Sequence, residues 1–296
     1  MQQTLERTEE QQSLENFSEL MQEVAKLPED KRNIVAVYSQ GVLAMPYVKR
    51  TTRAGKTIEV EYFYTSRLNK KGAKRKDKVK PTPDAQKRVN TKQAERKLRL
   101  LMNANFGYGD YHLVLDYIRH KGEPDRTREE MKKDIQVFLR ECRKLYKKAG
   151  LEFRYIHVME IGKKGARHHH LAVNHIDTSL LQQAWYKAYE GHNRVKVFPL
   201  DDSGQYGDLA AYFIKYTDRH IQDAPEQRLQ GKRWAASKNL VHPEPEYEYV
   251  TARSWYRCEA KAPAGYYVEK GSEEKGTVSP EYYGYGYYRY RLVQLE

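Results

Sequence analysis

The sequence has very little cysteine and no long apolar run. Two cysteines, Cys142 and Cys258, occur in 296 residues, which excludes a disulfide framework and a zinc site made of thiolates. Cys142 falls on the apolar stripe of a predicted helix, where a buried thiol is the usual situation. No stretch approaches the roughly 20 apolar residues of a membrane-spanning helix. The polar, acidic N-terminal stretch lacks the apolar core of a signal peptide, so we expect a cytoplasmic protein.

Charge is what the sequence has in excess. Charged residues make up 31% of the chain, and the formal net charge is +13. Such an excess attracts polyanions over long range, and nucleic acid is the usual partner because each neutralised phosphate releases a counterion. An anionic membrane is the alternative, but the sequence shows no basic amphipathic helix with an apolar anchor. We therefore expect a nucleic-acid partner and no membrane.

Basic residues are densest in one run that ends at Pro81 and Pro83. We interpret the run as a linker that touches phosphates, with a merely solvated loop as the alternative. A second, shorter pair of lysines lies in a predicted turn. The predicted DNA-binding residues are Lys70, Lys71, Lys74, Arg75, Lys76, Lys163 and Lys164.

Composition and periodicity divide the chain into three predicted parts. Residues 1–83 contain a polar helix to about Pro28, a β-hairpin formed by residues 34–38 and 58–64 with a turn at Ala54-Gly55, and the basic linker. Residues 84–225 form the predicted catalytic domain. Residues 226–296 form a turn-rich extension with tyrosine-rich strands, whose rings either stack on unpaired bases or make ordinary cross-strand contacts; we favour the second.

Strands and helices alternate in the predicted catalytic domain. Thr127 and Glu130 form a capping box that opens a helix closed by Gly150, and Asp208 is expected to cap a helix that runs to about Thr217. This order predicts an α+β fold, with a central antiparallel or mixed β-sheet and helices packed on it. The other predicted elements are helices over 84–101 and 179–189, and strands over 110–117, 153–161, 168–174 and 195–198.

The hairpin around Lys164 carries the chemistry. Its turn places Glu160 opposite His168, and directly opposed residues project to the same face of a sheet. His170 lies two residues on and shares that face, whereas His169 points the other way. His157 alternates away from Glu160, so we expect it in the core or in a supporting role.

One carboxylate and two imidazoles form a metal site with open coordination positions, as catalytic sites do. A metal held in this way can bind a phosphate oxygen and polarise phosphorus. The alternative is a histidine-rich strand without a metal. Two histidines at i and i+2, with a carboxylate opposite, favour the metal site.

A nucleophile is predicted on the helix that follows. Tyr212 and Lys215 lie three residues apart, on one helix face. A phenol has a pKa near ~10 and needs help to attack phosphorus, and Lys215 is placed to give it. By itself this spacing is weak, because the chain has 25 tyrosines.

Together these residues resemble the HUH (histidine–hydrophobe–histidine) endonucleases, and within them the rolling-circle replication initiators of phages, plasmids and integrative elements. The histidine pair precedes the tyrosine, as in initiators, whereas conjugative relaxases have the reverse order. The resemblance covers about residues 100–245 and rests on Asn105-Phe106, the strand 113–117, Glu160, His168 to Leu171, Asp208 to Lys215 and Lys232 to Leu240.

The resemblance implies that Glu160, His168 and His170 hold Mg²⁺ or Mn²⁺, and that Tyr212 cuts single-stranded origin DNA and keeps its 5′ end. It also implies a host helicase and polymerase as partners. Tyr216, one helical turn on, has the spacing of a second nucleophile, although Arg219 stands where a second lysine is expected; we favour one essential tyrosine. His169 departs from the motif, because initiators carry an aliphatic residue there.

Other functions stand as alternatives to this one. A transposase or mobilisation relaxase would use the same chemistry. A non-catalytic DNA-binding protein would use the histidines for structural zinc, and a non-haem iron oxygenase also uses two histidines and a carboxylate. Gly55-Lys56-Thr57 resembles the end of a P-loop but lacks the upstream glycine and a following helix, so no nucleotide cofactor is expected.

Overall fold

The computed structural model describes residues 47–64, 83–118, 125–162, 165–190, 195–218, 232–250, 259–278 and 285–295. The predicted N-terminal helix, the predicted strand over 34–38 and the basic run lie outside these residues. The chain forms two compact units, one made of residues 1–53, 57–79 and 244–296 and the other of residues 54–56 and 80–243. The three-part division expected from the sequence stays a prediction.

The first unit contains an antiparallel sheet whose strands come from distant parts of the chain. The strand order is β10-β11-β2-β1-β8, and β9 pairs with β11. The strands are β1 (Tyr47–Ala54), β2 (Thr57–Tyr64), β8 (Pro245–Val250), β9 (Tyr266–Val268), β10 (Glu274–Val278) and β11 (Tyr285–Gln294).

A tight turn at Gly55 joins β1 to β2, as predicted. Gly55 has a φ of 54°, in the left-handed region that glycine adopts without a steric penalty. The strand before the turn is Tyr47–Ala54, which was not predicted from the sequence. The segment after the turn is a strand, whereas a P-loop leads into a helix.

Tyrosines of the C-terminal strand pack inside this sheet's own core. Tyr288 is fully buried and stacks on Tyr62, with ring centroids 5.9 Å apart. Tyr290 and Leu292 lie on the same face, against Val60 and Ile58 of β2. These are ordinary cross-strand contacts, the role that we favoured for the tail.

The second unit is a five-stranded antiparallel sheet with helices on both faces, which confirms the predicted α+β class. The strand order is β6-β3-β5-β4-β7, so β5 is central and β4 lies beside it. The strands are β3 (Tyr111–Asp116), β4 (Tyr155–Ile161), β5 (Arg167–Val173), β6 (Lys196–Pro199) and β7 (Ala235–Ala236). The helices are α1 (Pro83–Asn105), α2 (Arg128–Lys148), α3 (Thr178–Ala188) and α4 (Gly207–Asp218).

Two apolar clusters separate the sheet from the two helix layers. On one face, α2 and α3 pack on alternate residues of β3, β4 and β5, such as Leu113, Met159 and Leu171. On the other face, α1 and α4 pack on residues of opposite alternation, such as Val158 and Ala172. Every residue of β4 up to Glu160 is buried, because helices cover both of its faces. Among the described helices, none is long and apolar enough to cross a membrane.

The helix ends follow local sequence rules in one case and correct a prediction in another. The backbone N–H of Glu130 donates to the Thr127 hydroxyl and the Thr127 N–H donates to the Glu130 carboxylate, which confirms the predicted capping box. Helix α4 begins at Gly207, so Asp208 lies in its first turn and the predicted cap at Asp208 was wrong. A carboxylate in the first turn still interacts favourably with the helix dipole.

Candidate metal centre

The β4–β5 hairpin has the register that the sequence predicted. Glu160 pairs directly with His168, and Val158 pairs with His170. The turn is closed by two backbone hydrogen bonds, from Gly165 to the Gly162 carbonyl and from Gly162 to the Ala166 carbonyl. Because this short turn fixes the register, Glu160 and the two histidines share one face.

The three side chains converge on one point. The Glu160 carboxylate oxygen Oε2 lies 3.0 Å from Nε2 of His168 and 2.7 Å from Nε2 of His170. The potential ligand atoms of all three residues lie within 4.8 Å of one another. Glu160 and His170 are buried, and His168 is partly exposed. This group could hold a metal ion, with His168 on its open side.

The group's electrostatics suit a cation. Burial acts to raise the pKa of Glu160, but hydrogen bonds from His168 and His170 outweigh it and lower that pKa to about 2. Burial lowers the pKa of His170, although its bond to Glu160 works against this. An ionised carboxylate beside a neutral imidazole is the state in which both bind metal.

His112 supports His170 from the neighbouring strand, a role that was not predicted from the sequence. Its Nε2 lies 3.1 Å from Nδ1 of His170, which leaves Nε2 of His170 to face Glu160. Burial, together with the charge of His170, lowers the pKa of His112 to about 4. Imidazole ligands commonly have their second ring nitrogen held in this way. The available signal was the alternation of β3, where His112 and Asp116 interrupt an apolar face.

Asp116 is a second acidic residue on this face that was not predicted. It pairs with His168 in the β3–β5 register. Lys196 lies 2.5 Å from its carboxylate, and its negative charge acts to raise the pKa of His170. Two carboxylates therefore flank His168, one from each neighbouring strand.

The predicted nucleophile lies next to the group. The hydroxyl oxygen of Tyr212, on α4, is 3.4 Å from Nε2 of His170, and the two rings meet edge to face with centroids 5.1 Å apart. Phe213 and Ile214 anchor α4 in the core below. Lys215, one turn along, is exposed. The structure therefore brings Tyr212 to the predicted metal ligands from 42 residues away.

His169 takes no part in this group, because it projects to the other face. Its Nδ1 lies 2.9 Å from Nε2 of His157, and its Nε2 lies 2.8 Å from the hydroxyl of Tyr117. Both of its ring nitrogens are therefore engaged away from Glu160. This arrangement is consistent with the choice of His168 and His170 as ligands and with the supporting position expected for His157.

The buried pair has a definite hydrogen-bond direction. The Tyr117 hydroxyl is bonded to Asp134, and burial, followed by this carboxylate's charge, raises the pKa of Tyr117. Since the Tyr117 proton goes to Asp134, His169 donates from Nε2 to Tyr117 and accepts at Nδ1 from His157. Burial lowers the pKa of His157 to about 3 and that of His169 well below its usual value. Both rings are neutral at physiological pH.

Several predicted site residues lie outside the described parts of the structure. These are all seven predicted DNA-binding residues, Lys70, Lys71, Lys74, Arg75, Lys76, Lys163 and Lys164, and the side chain of Tyr216. Their roles stay predictions.

With this geometry established, comparison with known proteins gives one finding. Residues 110–220 match the family model of replication-associated proteins of the ORF2 type, which is consistent with a rolling-circle replication initiator. The matched segment contains Glu160, both histidines, Tyr212 and Lys215. No curated protein and no solved structure matches the chain. The match supports a replication-associated protein whose family suggests DNA binding.

Proposed function

We propose that this protein initiates rolling-circle replication by nicking and rejoining single-stranded origin DNA in a metal-dependent reaction. The observation that carries the proposal is the Tyr212 hydroxyl, which lies 3.4 Å from a ring nitrogen of the Glu160–His168–His170 group. A nucleophile beside a site that could hold a metal ion is the combination that phosphoryl transfer requires. The net charge of +13 favours a polyanionic substrate.

Glu160, His168 and His170 are the residues that would hold Mg²⁺ or Mn²⁺. The fit rests on an ionised carboxylate of low pKa, on neutral His170, and on His112, which engages the far nitrogen of that ring. Once bound, the cation would neutralise charge on a phosphate oxygen and orient the scissile bond. Three protein ligands leave room for that oxygen.

Tyr212 performs the covalent step in this proposal. Its phenolic oxygen attacks phosphorus and loses its proton, while the bond from phosphorus to the 3′ oxygen breaks and that oxygen gains a proton. The products are a 5′-phosphotyrosine and a free 3′-hydroxyl. The reverse reaction rejoins the ends, so one site carries out both nicking and ligation.

Lys215 and the buried floor of the site assist that step. Lys215 lies three residues from Tyr212 on α4 and is exposed, so its ammonium group can approach the phosphate or the developing phenolate. Phe213 is fully buried and fixes the helix against the sheet, which holds Tyr212 at one position relative to His170. A fixed geometry of this kind supplies much of the rate in phosphoryl transfer.

A covalent-adduct assay tests the proposal. The protein is incubated with Mn²⁺ and an internally randomised single-stranded DNA library, and adducts are separated on a denaturing gel. We expect a protein–DNA adduct whose DNA sequence identifies the cleavage site. Tyr212→Phe should abolish the adduct, because the nucleophilic oxygen is gone, and EDTA should abolish it as well.

Tyr216→Phe is the matched control for Tyr212→Phe. Both variants remove one hydroxyl from the same helix, so we expect Tyr216→Phe to form the adduct at a rate close to that of the unaltered protein. Adduct formation that persists in Tyr212→Phe would refute the assignment of the nucleophile. Nicking that continues in EDTA would contradict metal dependence.

A further inference from the structure

A cavity lies beside the metal-bearing strands at the edge of the second unit's sheet. Its volume is about 450 Å³, and it is lined by Lys232, Arg233, Trp234, Ala235 and Ala236. None of these residues has a role in the proposed cleavage step. The cavity therefore requires a separate explanation.

The lining combines an aromatic ring with two cations. Trp234 is partly buried, because it packs against the apolar cluster beneath α1 and α4. Lys232 is exposed, and Arg233 donates to the backbone oxygen of Asn90 over 3.4 Å. An indole with one side supported by the core and lysine and arginine beside it can stack a base and neutralise its phosphate.

The sheet places this cavity along the strand that carries Glu160. Strand β7 pairs with β4, with Ala236 opposite Ile156 and Ala235 opposite His157. Continued along the chain, this antiparallel register brings Trp234 opposite Val158 and Lys232 opposite Glu160. By the alternation of a strand, Trp234 and Lys232 then face the same side of the sheet as Glu160.

Helix α1, which borders this region through Asn90, is strongly basic. Its 23 residues contain six lysine or arginine side chains and two acidic ones. A phosphate backbone that passes along α1 would therefore meet positive charge before it reached Trp234.

We infer that this cavity is a binding subsite for a nucleotide of single-stranded DNA, with its base stacked on Trp234 and its phosphate neutralised by Lys232 and Arg233. The inference rests on the proposed function, since it assigns a second contact to the same DNA strand. A base in a duplex already stacks on its neighbours, so the subsite selects unpaired DNA.

The test measures binding separately from cleavage. Fluorescence anisotropy with a labelled single-stranded oligonucleotide of mixed sequence, in EDTA, gives Kd for the full-length protein and its variants. We expect Trp234→Leu to raise Kd about 10-fold, because the apolar packing remains but the aromatic face is lost, and Trp234→Phe to retain most of the affinity. An unlabelled duplex of the same sequence should compete poorly.

The charge contribution has a matched control. Lys232→Gln should lower the salt dependence of binding by about one counterion. Lys147→Gln alters an exposed lysine of α2, on the other side of the sheet, and should leave that dependence unchanged. Equal effects of both substitutions would mean that only net charge matters, which would overturn the subsite.

A fluorescence measurement covers the case in which Trp234→Leu folds poorly. Stacking quenches indole emission, so DNA should quench the unaltered protein more than Trp234→Phe; equal quenching would overturn the inference. Wild-type affinity in Trp234→Leu, or strong competition by the duplex, would overturn it as well. Adduct formation by Tyr212 in Mn²⁺ is a separate result, so either proposal can fail while the other stands.

Discussion

Strand β5 presents histidines to both faces of its sheet, and the two faces use them differently. His168 and His170 share a carboxylate, Glu160, and have Tyr212 beside them. His169, between them in sequence, is fully buried on the other face and bonded to His157 and Tyr117. One face therefore offers potential ligand atoms, and the other engages both ring nitrogens of His169 in the core.

The comparison teaches that the partners of a histidine, rather than its place in a motif, decide its role. His169 fills the position where HUH endonucleases carry an aliphatic residue, and it behaves as a buried structural residue despite its polarity. Its cost of burial is offset because each ring nitrogen has a partner. The functional face keeps an ionised carboxylate, whereas the structural face keeps its rings neutral.

The largest expected effect separates the two faces by metal affinity. His170→Ala removes a ligand, so we expect Mn²⁺ affinity, measured by calorimetry, to fall by more than about 100-fold, since loss of even an indirect partner of a ligand costs roughly 10–100-fold. His169→Leu should change the binding free energy by no more than about 0.5 kcal/mol, because it shares no partner with the site. Comparable losses in both variants would break the distinction between the faces.

Much of this functional face could be predicted because it is local in sequence. A short turn fixes the Glu160–His168 register, and the strand period then places His170. His112 could not be predicted as its supporter, since that role depends on β3 pairing with β5 across 58 residues. Tyr212 was found through its resemblance to initiators, and its distance from His170 depends on how α4 packs.

The fold was predictable to a similar limit. Elements with strong local signals, such as the capping box at Thr127 and the turn at Gly55, were predicted correctly. The pairing of β1 with β8 was not, because it joins residues as far apart as Lys49 and Glu248, and nothing local in either strand specifies its partner. Asp208 was misplaced by one residue, which is the usual uncertainty at a helix end.

A smaller effect concerns the acid sensitivity of the structural face. His157 and His169 stay neutral in the fold, with the pKa of His157 at about 3, whereas an unfolded histidine has a pKa near ~6.5. Below about pH 6.5 the unfolded chain therefore binds more protons, and stability falls as pH falls. Replacing both residues by leucine should make the loss between about pH 7 and about pH 5 smaller by about 2 kcal/mol.

Urea unfolding in EDTA at the two pH values measures this difference. The double substitution removes the two partners of one hydrogen bond together, and Tyr117 keeps its bond to Asp134, so the variant should stay folded near neutral pH. Wild-type acid sensitivity in the double variant would show that the titrating groups lie elsewhere, for example at His112.

The smallest effect tests whether α2 acts only as a support for the structural face. Thr127 caps this helix, whose buried residues Ile135 and Phe138 pack on that face. Thr127→Ala removes the cap, and we expect the free energy of unfolding to fall by about 1 kcal/mol. Because α2 packs on the face opposite to Glu160 and Tyr212, Mn²⁺ affinity and the adduct rate should be unchanged below the melting transition. A loss of metal affinity at constant fold would mean that the two faces are coupled through the strands between them. The same measurement on Thr127→Ser, which restores a capping oxygen, would then separate helix fraying from a direct effect.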